Sequence, residues 1–388
     1  MRRLLAAGMI GVLPALAIAA DGLEAAAGRA LFKRQWIPAP SSTIASDGLG
    51  PLFNARSCAT CHAGGHGGRV VDRDGRRDLI GAVVRLGDAD GKPDPNYGLQ
   101  VQTDAVPGLA AEAHVRFLPK LSMRFNYGQL APQVHAGVRI APSLIGRAAI
   151  DGINDEEIRR HADPEDRDGD GIRGRVREVE DVAGSRRPGR FGWKAAEPSL
   201  DAQVADAFML DIGLSSPLYP KPAGDCTASQ TACIEAPNGR SAAFDGEEIS
   251  AAMIGLVGQY LASLPLRAAT DLPGLAVFNR IGCAACHVSD LKNRTGETVQ
   301  IYSDLLLHDM GAGLDDGVGE PGAASRDWRT APLIDMKAPG RRYLHDGRAA
   351  TLSSAVRWHD GEAQQARQRY DALNAADRQH LIEFLERL

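Results

Sequence analysis

The sequence predicts a mainly α-helical protein with two domains of unequal size, and three observations support this. The pattern CxxCH occurs twice, at residues 58–62 and 283–287. Each copy follows a short helix candidate, and each is followed further along the chain by a second helix with apolar residues at helical spacing. The chain has 388 residues, of which 44% are hydrophobic, so it is long enough to form two cores.

The second domain, predicted at residues 269–388, shows the arrangement in compact form. A helix candidate at 272–280 leads into Cys283, and a helix at 375–388 closes the chain. The apolar positions of this last helix recur every three or four residues: Leu381, Phe384, Leu385 and Leu388.

The first domain, predicted at residues 20–268, repeats the scheme with a long insertion. Residues 23–32 are the leading helix, and residues 247–264 are the closing helix, with Asp245 and Glu248 as a start that resembles a capping box. The apolar face of the closing helix is Ile254, Val257, Tyr260, Leu261 and Leu264. The insertion is rich in Gly, Pro, Asp and Arg, so we expect mostly loops, with short helices at 154–161 and 200–210.

The first 19 residues have the pattern of a cleaved secretory signal. Arg2 and Arg3 precede a short apolar run, and Ala17-Ile18-Ala19 fits a small-x-small cleavage site. The alternative is a membrane anchor, but the run is shorter than the ~20 apolar residues that a span needs. We therefore expect a periplasmic protein with no membrane span after signal removal. The net charge of −5 argues against a nucleic-acid partner.

The spacing in CxxCH is the spacing that covalent haem attachment requires. Two thiols add to the two vinyl groups of a haem, and the adjacent histidine binds the iron. A redox dithiol would not need the histidine. A four-cysteine zinc site would bring its pairs much closer together in sequence. The sequence thus predicts two cytochrome c-like domains with two covalently bound haem c groups, held by the following residues: Cys58, Cys61, His62, Cys283, Cys286 and His287.

Two further groups of residues suggest structural roles. Cys226 and Cys233 lie in a polar segment, where a disulfide is the simplest interpretation in an oxidising compartment and a redox-active pair is the alternative. Asp166, Asp168 and Asp170 precede Gly171, as in the first half of a calcium-binding loop. The twelfth position is arginine instead of glutamate, so Ca²⁺ and a solvated acidic turn both remain open.

Several runs in the chain resemble a known family. The segment YLHDGRAATL resembles a signature of bacterial di-haem cytochrome c peroxidases, which have the same order of two haem domains. The following runs are similar to the di-haem oxidoreductase family, which includes peroxidase-like and thiol-oxidoreductase-like proteins: GLGPLFNARSCATCH, GRFGWKA, YSDLLLHDMG, DWRTAPL and YLHDGRAATLSSAVRWHDGEA.

The resemblance implies a sixth iron ligand for the C-terminal haem. In the peroxidases this ligand lies fourteen positions after the histidine of the HDG signature, and here that position is His359. His287 and His359 would then form a bis-histidine, low-spin haem of low reduction potential.

The N-terminal haem has no ligand that can be aligned, because the segment after its motif is much longer than in the peroxidases. His135 and Lys194 are candidate sixth ligands. Arg139 could polarise a peroxide bond, Glu197 could transfer its proton, and Trp193 could relay an electron. An ordinary structural role is the alternative for each of these residues.

The predicted function is that of a peroxidase-type di-haem oxidoreductase. Electrons from a small donor cytochrome or cupredoxin would enter at the C-terminal haem, and hydrogen peroxide would be reduced at the N-terminal haem. Two alternatives remain: oxidation of a small sulfur or organic compound or of a partner protein, and a non-catalytic electron-transfer cytochrome.

Overall fold

The computed structural model describes residues 13–73, 76–118, 120–266 and 273–388. Its α-helices are α1 Leu13–Lys33, α2 Cys58–Cys61, α3 Arg147–Asp151, α4 Asp155–Arg159, α5 Leu200–Ala207, α6 Thr231–Ile234, α7 Ala251–Ala262, α8 Pro273–Arg280, α9 Leu352–Arg357, α10 Gln364–Asp371 and α11 Ala375–Leu385. Most of the predicted leader, and the predicted domain boundary at 268–269, lie outside the described residues. In the part of the chain that the structure describes, no helix is long and apolar enough to cross a membrane.

The β-strands are β1 Leu52–Phe53, β2 Arg69–Arg73, β3 Arg76–Ile80, β4 Ala82–Gly87, β5 Gln100–Val101, β6 Asp104–Ala105, β7 Ala113–Arg116, β8 Ser122–Phe125, β9 His135–Ile140, β10 Glu178–Glu180, β11 Arg186–Pro188, β12 Leu291–Lys292, β13 Thr298–Val299, β14 Leu307–Asp309 and β15 Asp327–Arg329. They form small antiparallel sheets, of which the largest has the strand order β5-β4-β9. The others are pairs: β1 with β6, β2 with β3, β7 with β8, β10 with β11, β12 with β13, and β14 with β15.

The predicted mainly α fold is therefore wrong, because the protein is 30% helical and 18% strand. Most of the strands lie in the insertion, for which the sequence predicts mostly loops, and β12 to β15 lie in the predicted second domain. Strands β4 and β9 carry side chains that alternate in burial, and Val84 and Leu86 pack with Tyr97 and Val101 in a separate small core. The strands are short and separated by turn residues, so their period-two pattern is brief.

The predicted pairs of helices are present and cross closely. Helix α1 packs on α7, and a Cβ atom at Gly28 would overlap the backbone oxygen of Leu256. Helix α8 packs on α11 in the same way, where a Cβ at Gly274 would overlap the backbone of His380. Only glycine lets two helix backbones approach this closely. Each CxxCH motif thus follows a helix that is fixed by such a crossing.

The predicted cap of the closing helix needs correction. Ser250 caps α7, because its side chain accepts a hydrogen bond from the backbone N–H of Met253. Asp245 accepts from the N–H of Ala251, while Glu248 accepts from the N–H groups of Ser215 and Gly239. Glu248 therefore ties two loops together instead of closing a capping box.

Two larger hydrophobic cores underlie the two motifs. The first includes Phe32, Phe208, Val257 and Tyr260 from α1, the turn after α5, and α7. The second consists of residues from the C-terminal helices and the loops between them: Val277, Phe278, Ile281, Tyr302, Met336, Leu352, Tyr370, Leu381, Phe384 and Leu385. A disulfide joins Cys226 to Cys233 across α6 and closes a short loop.

Candidate haem sites

The C-terminal motif begins at the end of α8. Gly282 adopts a φ of 93°, a left-handed conformation that glycine accepts without strain, and it turns the chain into Cys283. Burial raises the pKa of the Cys283 thiol to about 12, and burial also raises the pKa of Cys286. A reactive redox dithiol needs a lowered thiol pKa, so this environment does not suit one.

His287 and His359 line the same cavity, which has a volume of about 440 Å³. The Nδ1 atom of His287 donates a hydrogen bond to the backbone oxygen of Tyr302 at 2.8 Å. The Nδ1 atom of His359 donates to the backbone oxygen of Ala355 at 2.9 Å. Since a carbonyl oxygen only accepts, each ring carries its proton on Nδ1 and keeps the Nε2 lone pair free for a metal.

Burial keeps both rings in the neutral form that binds iron. It lowers the pKa of His287 to about 4, and it also lowers the pKa of His359. The rest of the cavity is largely apolar and includes Phe278, Leu352 and Val356. The geometry thus brings together His287 and His359, which sequence reasoning had paired only through the resemblance.

The loop that follows His359 is held by Glu362. Its carboxylate accepts hydrogen bonds from Nδ1 of His308 at 2.7 Å, from the N–H of Asp309 at 2.9 Å and from the N–H of Arg173 at 2.8 Å. The Nε2 atom of His308 bonds to Asp304 at 3.0 Å. Burial opposes the charged form of His308, but its hydrogen bonds to Asp304 and Glu362 raise its pKa well above the usual value.

Cys286, Asp304 and His308 lie close enough together to hold a metal ion. We do not assign a separate metal to them, because Cys286 belongs to the CxxCH motif and His308 is engaged by two carboxylates. Sequence reasoning missed Glu362 and Asp304. Glu362 lies within the run YLHDGRAATLSSAVRWHDGEA, which was the available signal.

The N-terminal motif forms the short helix α2. Burial, together with the charge of Asp211, raises the pKa of both Cys58 and Cys61 to about 12. Burial and the positive charge of Arg147 lower the pKa of His62 to about 4. Among the described residues, the buried Nδ1 atom of His62 has no hydrogen-bond partner. A neutral imidazole beside two buried, neutral thiols fits the proximal side of a covalently bound haem.

A group of charged residues, which we call the polar chamber, lies near this motif and consists of Arg85, Glu197, Asp206, Asp211, Tyr219 and Glu320. Arg85 and Asp206 keep 28% and 16% of their side-chain surfaces accessible, so neither side chain is sealed off from solvent. The two side chains approach to 3.7 Å. Asp211 connects the chamber to the motif, because its charge acts on both thiols.

Two acids of the polar chamber titrate near neutral pH. Burial and the neighbouring Asp206 raise the pKa of Glu197 to about 7. Burial raises the pKa of Asp206 itself to about 6, despite the nearby Arg85. The hydroxyl of Tyr219 donates a hydrogen bond to Glu197 at 3.2 Å. No sequence pattern points to Asp206 or Tyr219. These two residues come close to Glu197 only when the insertion folds.

Three of the other predicted residues, Arg139, Trp193 and Lys194, gather elsewhere, around Trp328 and His345. The ring of His345 stacks on Trp328 with centroids 3.6 Å apart, and Nζ of Lys194 lies 3.9 Å from the Trp328 ring. Arg139 lies 4.6 Å from the same ring and pairs with Asp316. These residues and Trp193 are thus brought together, whereas Glu197 belongs to the polar chamber.

Neither candidate for the sixth ligand of the N-terminal haem is favoured by its surroundings. Nζ of Lys194 donates hydrogen bonds to the backbone oxygens of Ala324, Ser325 and Asp327, so its protons are all used. His135 is exposed at the start of β9. Trp193 donates from Nε1 to the backbone oxygen of Ile140, and its relay role stays a prediction.

The aspartate loop is compact. Asp166, Asp168 and Asp170 bring a carboxylate oxygen each within 4.8 Å of one another. These carboxylates accept hydrogen bonds from backbone N–H groups of their own loop, including Gly171 to Asp166 at 3.0 Å. The bonds within the loop account for its shape without an ion, so Ca²⁺ stays a prediction.

Comparison with protein families matches residues 122–388, more than half of the chain, to the family described as "Di-haem oxidoreductase, putative peroxidase". Among solved structures, a chain of Kuenenia stuttgartiensis hydrazine synthase, determined under 20 bar of xenon, is similar to this protein. It has 13% sequence identity and a TM-score of 0.38, over 93% of this chain and 92% of that chain. The comparison with curated proteins gives no match.

Proposed function

The chain belongs to the di-haem oxidoreductase family, and from this premise we propose that it is a periplasmic c-type enzyme that reduces hydrogen peroxide. The residues that would hold the two haems covalently, or through the iron, are Cys58, Cys61, His62, Cys283, Cys286, His287 and His359. The bound haems would supply one-electron redox chemistry and an iron position for peroxide.

The polar chamber beside the N-terminal motif is the observation that carries this proposal. Reduction of one peroxide to two waters consumes two electrons and two protons. Glu197 and Asp206, with pKa values of about 7 and 6, are partly protonated near neutral pH and can therefore both give and take protons. The C-terminal cavity instead presents two imidazoles, which suit a site that only transfers electrons.

Proton transfer in the chamber would follow the contacts of Glu197. Its carboxyl group gives a proton to the leaving oxygen of peroxide, and the hydroxyl of Tyr219 holds the carboxyl in place. Arg85 stays charged beside Asp206 and favours the return of Glu197 to its ionised form. Arg139, predicted to polarise the peroxide, is engaged with Asp316 near Trp328 and is assigned no role in this chamber.

The C-terminal site is the proposed point of electron entry. Trp358, next to the ligand His359, is 39% exposed, so a small cytochrome or cupredoxin has a route to the edge of this site. The predicted leader and the disulfide between Cys226 and Cys233 support an oxidising compartment outside the cytoplasm.

Optical and electron paramagnetic resonance spectra of the purified holoprotein test the proposal. We expect two haems per chain that remain attached after denaturation, one of them low-spin and the other able to bind cyanide. We also expect peroxide turnover with a reduced small cytochrome c. If neither haem binds cyanide and the protein does not turn over peroxide, the protein is an electron carrier. Cyanide binding without peroxide turnover would favour a different substrate, and either result would refute the peroxidase assignment.

A further inference from the structure

Six arginines line the cavity that contains His287 and His359, among them Arg147, Arg329 and Arg341. Arg147 and Arg329 are only 7% and 3% exposed. Nε of Arg147 donates to the backbone oxygen of Ser143 at 2.7 Å, and Arg329 donates to the backbone oxygens of Gly192 and Thr330. Each guanidinium group therefore keeps nitrogens that are not bonded to the described protein residues.

Negative charge in the described part of the chain balances these arginines only in part. The charge of Asp304 acts on Arg329 and that of Asp335 on Arg341, whereas no described carboxylate acts on Arg147. Neither Arg147 nor Arg329 forms an ion pair with a described carboxylate, and Arg341 lies 3.9 Å from Asp335. The same carboxylate oxygen of Asp335 is already bonded to His66 at 2.8 Å and to Ser143 at 3.0 Å. Buried cations without a counter-charge are costly, so the arrangement calls for an anion in the cavity.

Arg147 is close enough to the other two arginines for their positive charges to repel its own. Burial, followed by repulsion from Arg329 and Arg341, lowers the pKa of Arg147 to about 9. Burial lowers the pKa of Arg329 to about 10. An anion between these groups would relieve both burial and repulsion, and a carboxylate can accept two parallel hydrogen bonds from one guanidinium.

Arg147 lies where it affects both haem sites. It belongs to α3, lines the C-terminal cavity and donates a hydrogen bond to the backbone oxygen of Ser143. The residue after Ser143, Leu144, donates from its N–H to the backbone oxygen of Gly65 at 2.8 Å, three residues after His62 of the N-terminal motif. A positive charge in this position stabilises the reduced state of an iron on either side, because reduction removes one positive charge from that centre.

We propose that Arg147, Arg329 and Arg341 form a carboxylate-binding cluster that holds haem propionates between the two sites and raises the reduction potential of both haems. This inference rests on the proposed haem assignment. A small free anion shares the chemistry of a propionate, so the test must separate the two sources.

The test compares the variant Arg147→Gln with Arg147→Lys and with Arg160→Gln, a half-exposed surface arginine that pairs with Glu157. Haem content and the reduction potential of each haem are measured by spectroelectrochemical titration. At an effective dielectric constant near 20, a unit charge about 10 Å away changes an equilibrium constant roughly tenfold. We therefore expect Arg147→Gln to lower both potentials, by about 59 mV for a tenfold change in a one-electron couple.

In Arg147→Lys the positive charge is kept, so both reduction potentials should stay close to the wild-type values. Arg160→Gln should have the reduction potentials of the wild-type protein. If Arg147→Gln does not fold, Arg329→Gln is expected to lower the potential of the C-terminal haem. Full haem content with unchanged potentials in either glutamine variant would overturn the cluster while leaving the proposed function intact. Inorganic phosphate is also added to both proteins. If it shifts the reduction potentials of the wild-type protein but not those of Arg147→Gln, the cluster binds a free anion and the propionate assignment is overturned. Wild-type protein that binds no haem would overturn both proposals.

Discussion

Replacing Glu362 tests whether the C-terminal ligand loop depends on a single carboxylate. Glu362 lies three residues after His359, and its carboxylate accepts hydrogen bonds from His308, Asp309 and Arg173. In Glu362→Ala all three donors lose their acceptor. In Glu362→Gln the amide oxygen can still accept, but the charge opposite His308 is lost.

The cost can be worked out from the burial of the donors. His308 is 3% exposed and keeps its bond to Asp304, while Asp309 lies at the end of β14. A buried donor without a partner costs about 1–3 kcal/mol, and the N–H of the largely exposed Arg173 can bond to water. The two remaining losses amount to about 3 kcal/mol for the alanine variant, or roughly 4 °C in Tm for a chain of this length.

Thermal unfolding of the holoprotein measures this loss, and the haem spectrum shows whether the loop still holds His359. We expect Glu362→Ala to show a lower Tm and a share of high-spin C-terminal haem, with Glu362→Gln in between. The control is Glu386→Gln, which breaks an exposed pair with Lys337 and should cost less than about 1 kcal/mol. An alanine variant with the Tm and spectrum of this control would show that Glu362 does not position the loop.

Three other changes have expected outcomes. His359→Ala should abolish the low-spin signal of the C-terminal haem, and an unchanged spectrum would exclude His359 as its ligand. Glu197→Gln should lower kcat about 100-fold. It should also remove the fall in rate as pH rises through about 7, because the proton donor ionises there. The control Asp201→Asn, at an exposed position on α5, should keep the wild-type pH profile. Gly274→Ala should lower the free energy of unfolding by about 1–3 kcal/mol, because its Cβ would overlap α11. In the control Gly258→Ala, the added Cβ meets Asp201 at an ordinary 3.6 Å, so this variant should not lower the free energy of unfolding.

The helices that frame each motif could be predicted because local patterns specify them. The leading helix before Cys283 was placed at 272–280 and is found at Pro273–Arg280. The closing helix at 375–388 is found at Ala375–Leu385. Apolar spacing sets these elements, and the helix crossings only reinforce it. The cap at Ser250 was missed because several polar residues precede α7, and tertiary contacts engage Glu248 elsewhere.

The sheets of the insertion and the polar chamber could not be predicted in the same way. Strand β4 pairs with β9, about fifty residues further along the chain, so the sequence of neither strand alone shows that the two will pair. Asp206 meets Arg85 only after α5 has packed near β4. A carboxylate on a short helix looks like an ordinary solvated residue in sequence, and burial is what raises its pKa.

The two halves keep a common frame but differ in what surrounds the motif. Gly28 and Gly274 each lie at a close crossing between a leading and a closing helix. The first motif begins 25 residues after α1, whereas the second begins three residues after α8. In the C-terminal half, backbone carbonyls accept hydrogen bonds from His287 and His359 and fix the orientation of both rings. In the N-terminal half, the insertion supplies acids whose protonation changes near neutral pH. Under the proposed function, the C-terminal site would store electrons and the N-terminal site would carry out proton-coupled chemistry, because only the N-terminal half has the long insertion between its motif and its closing helix.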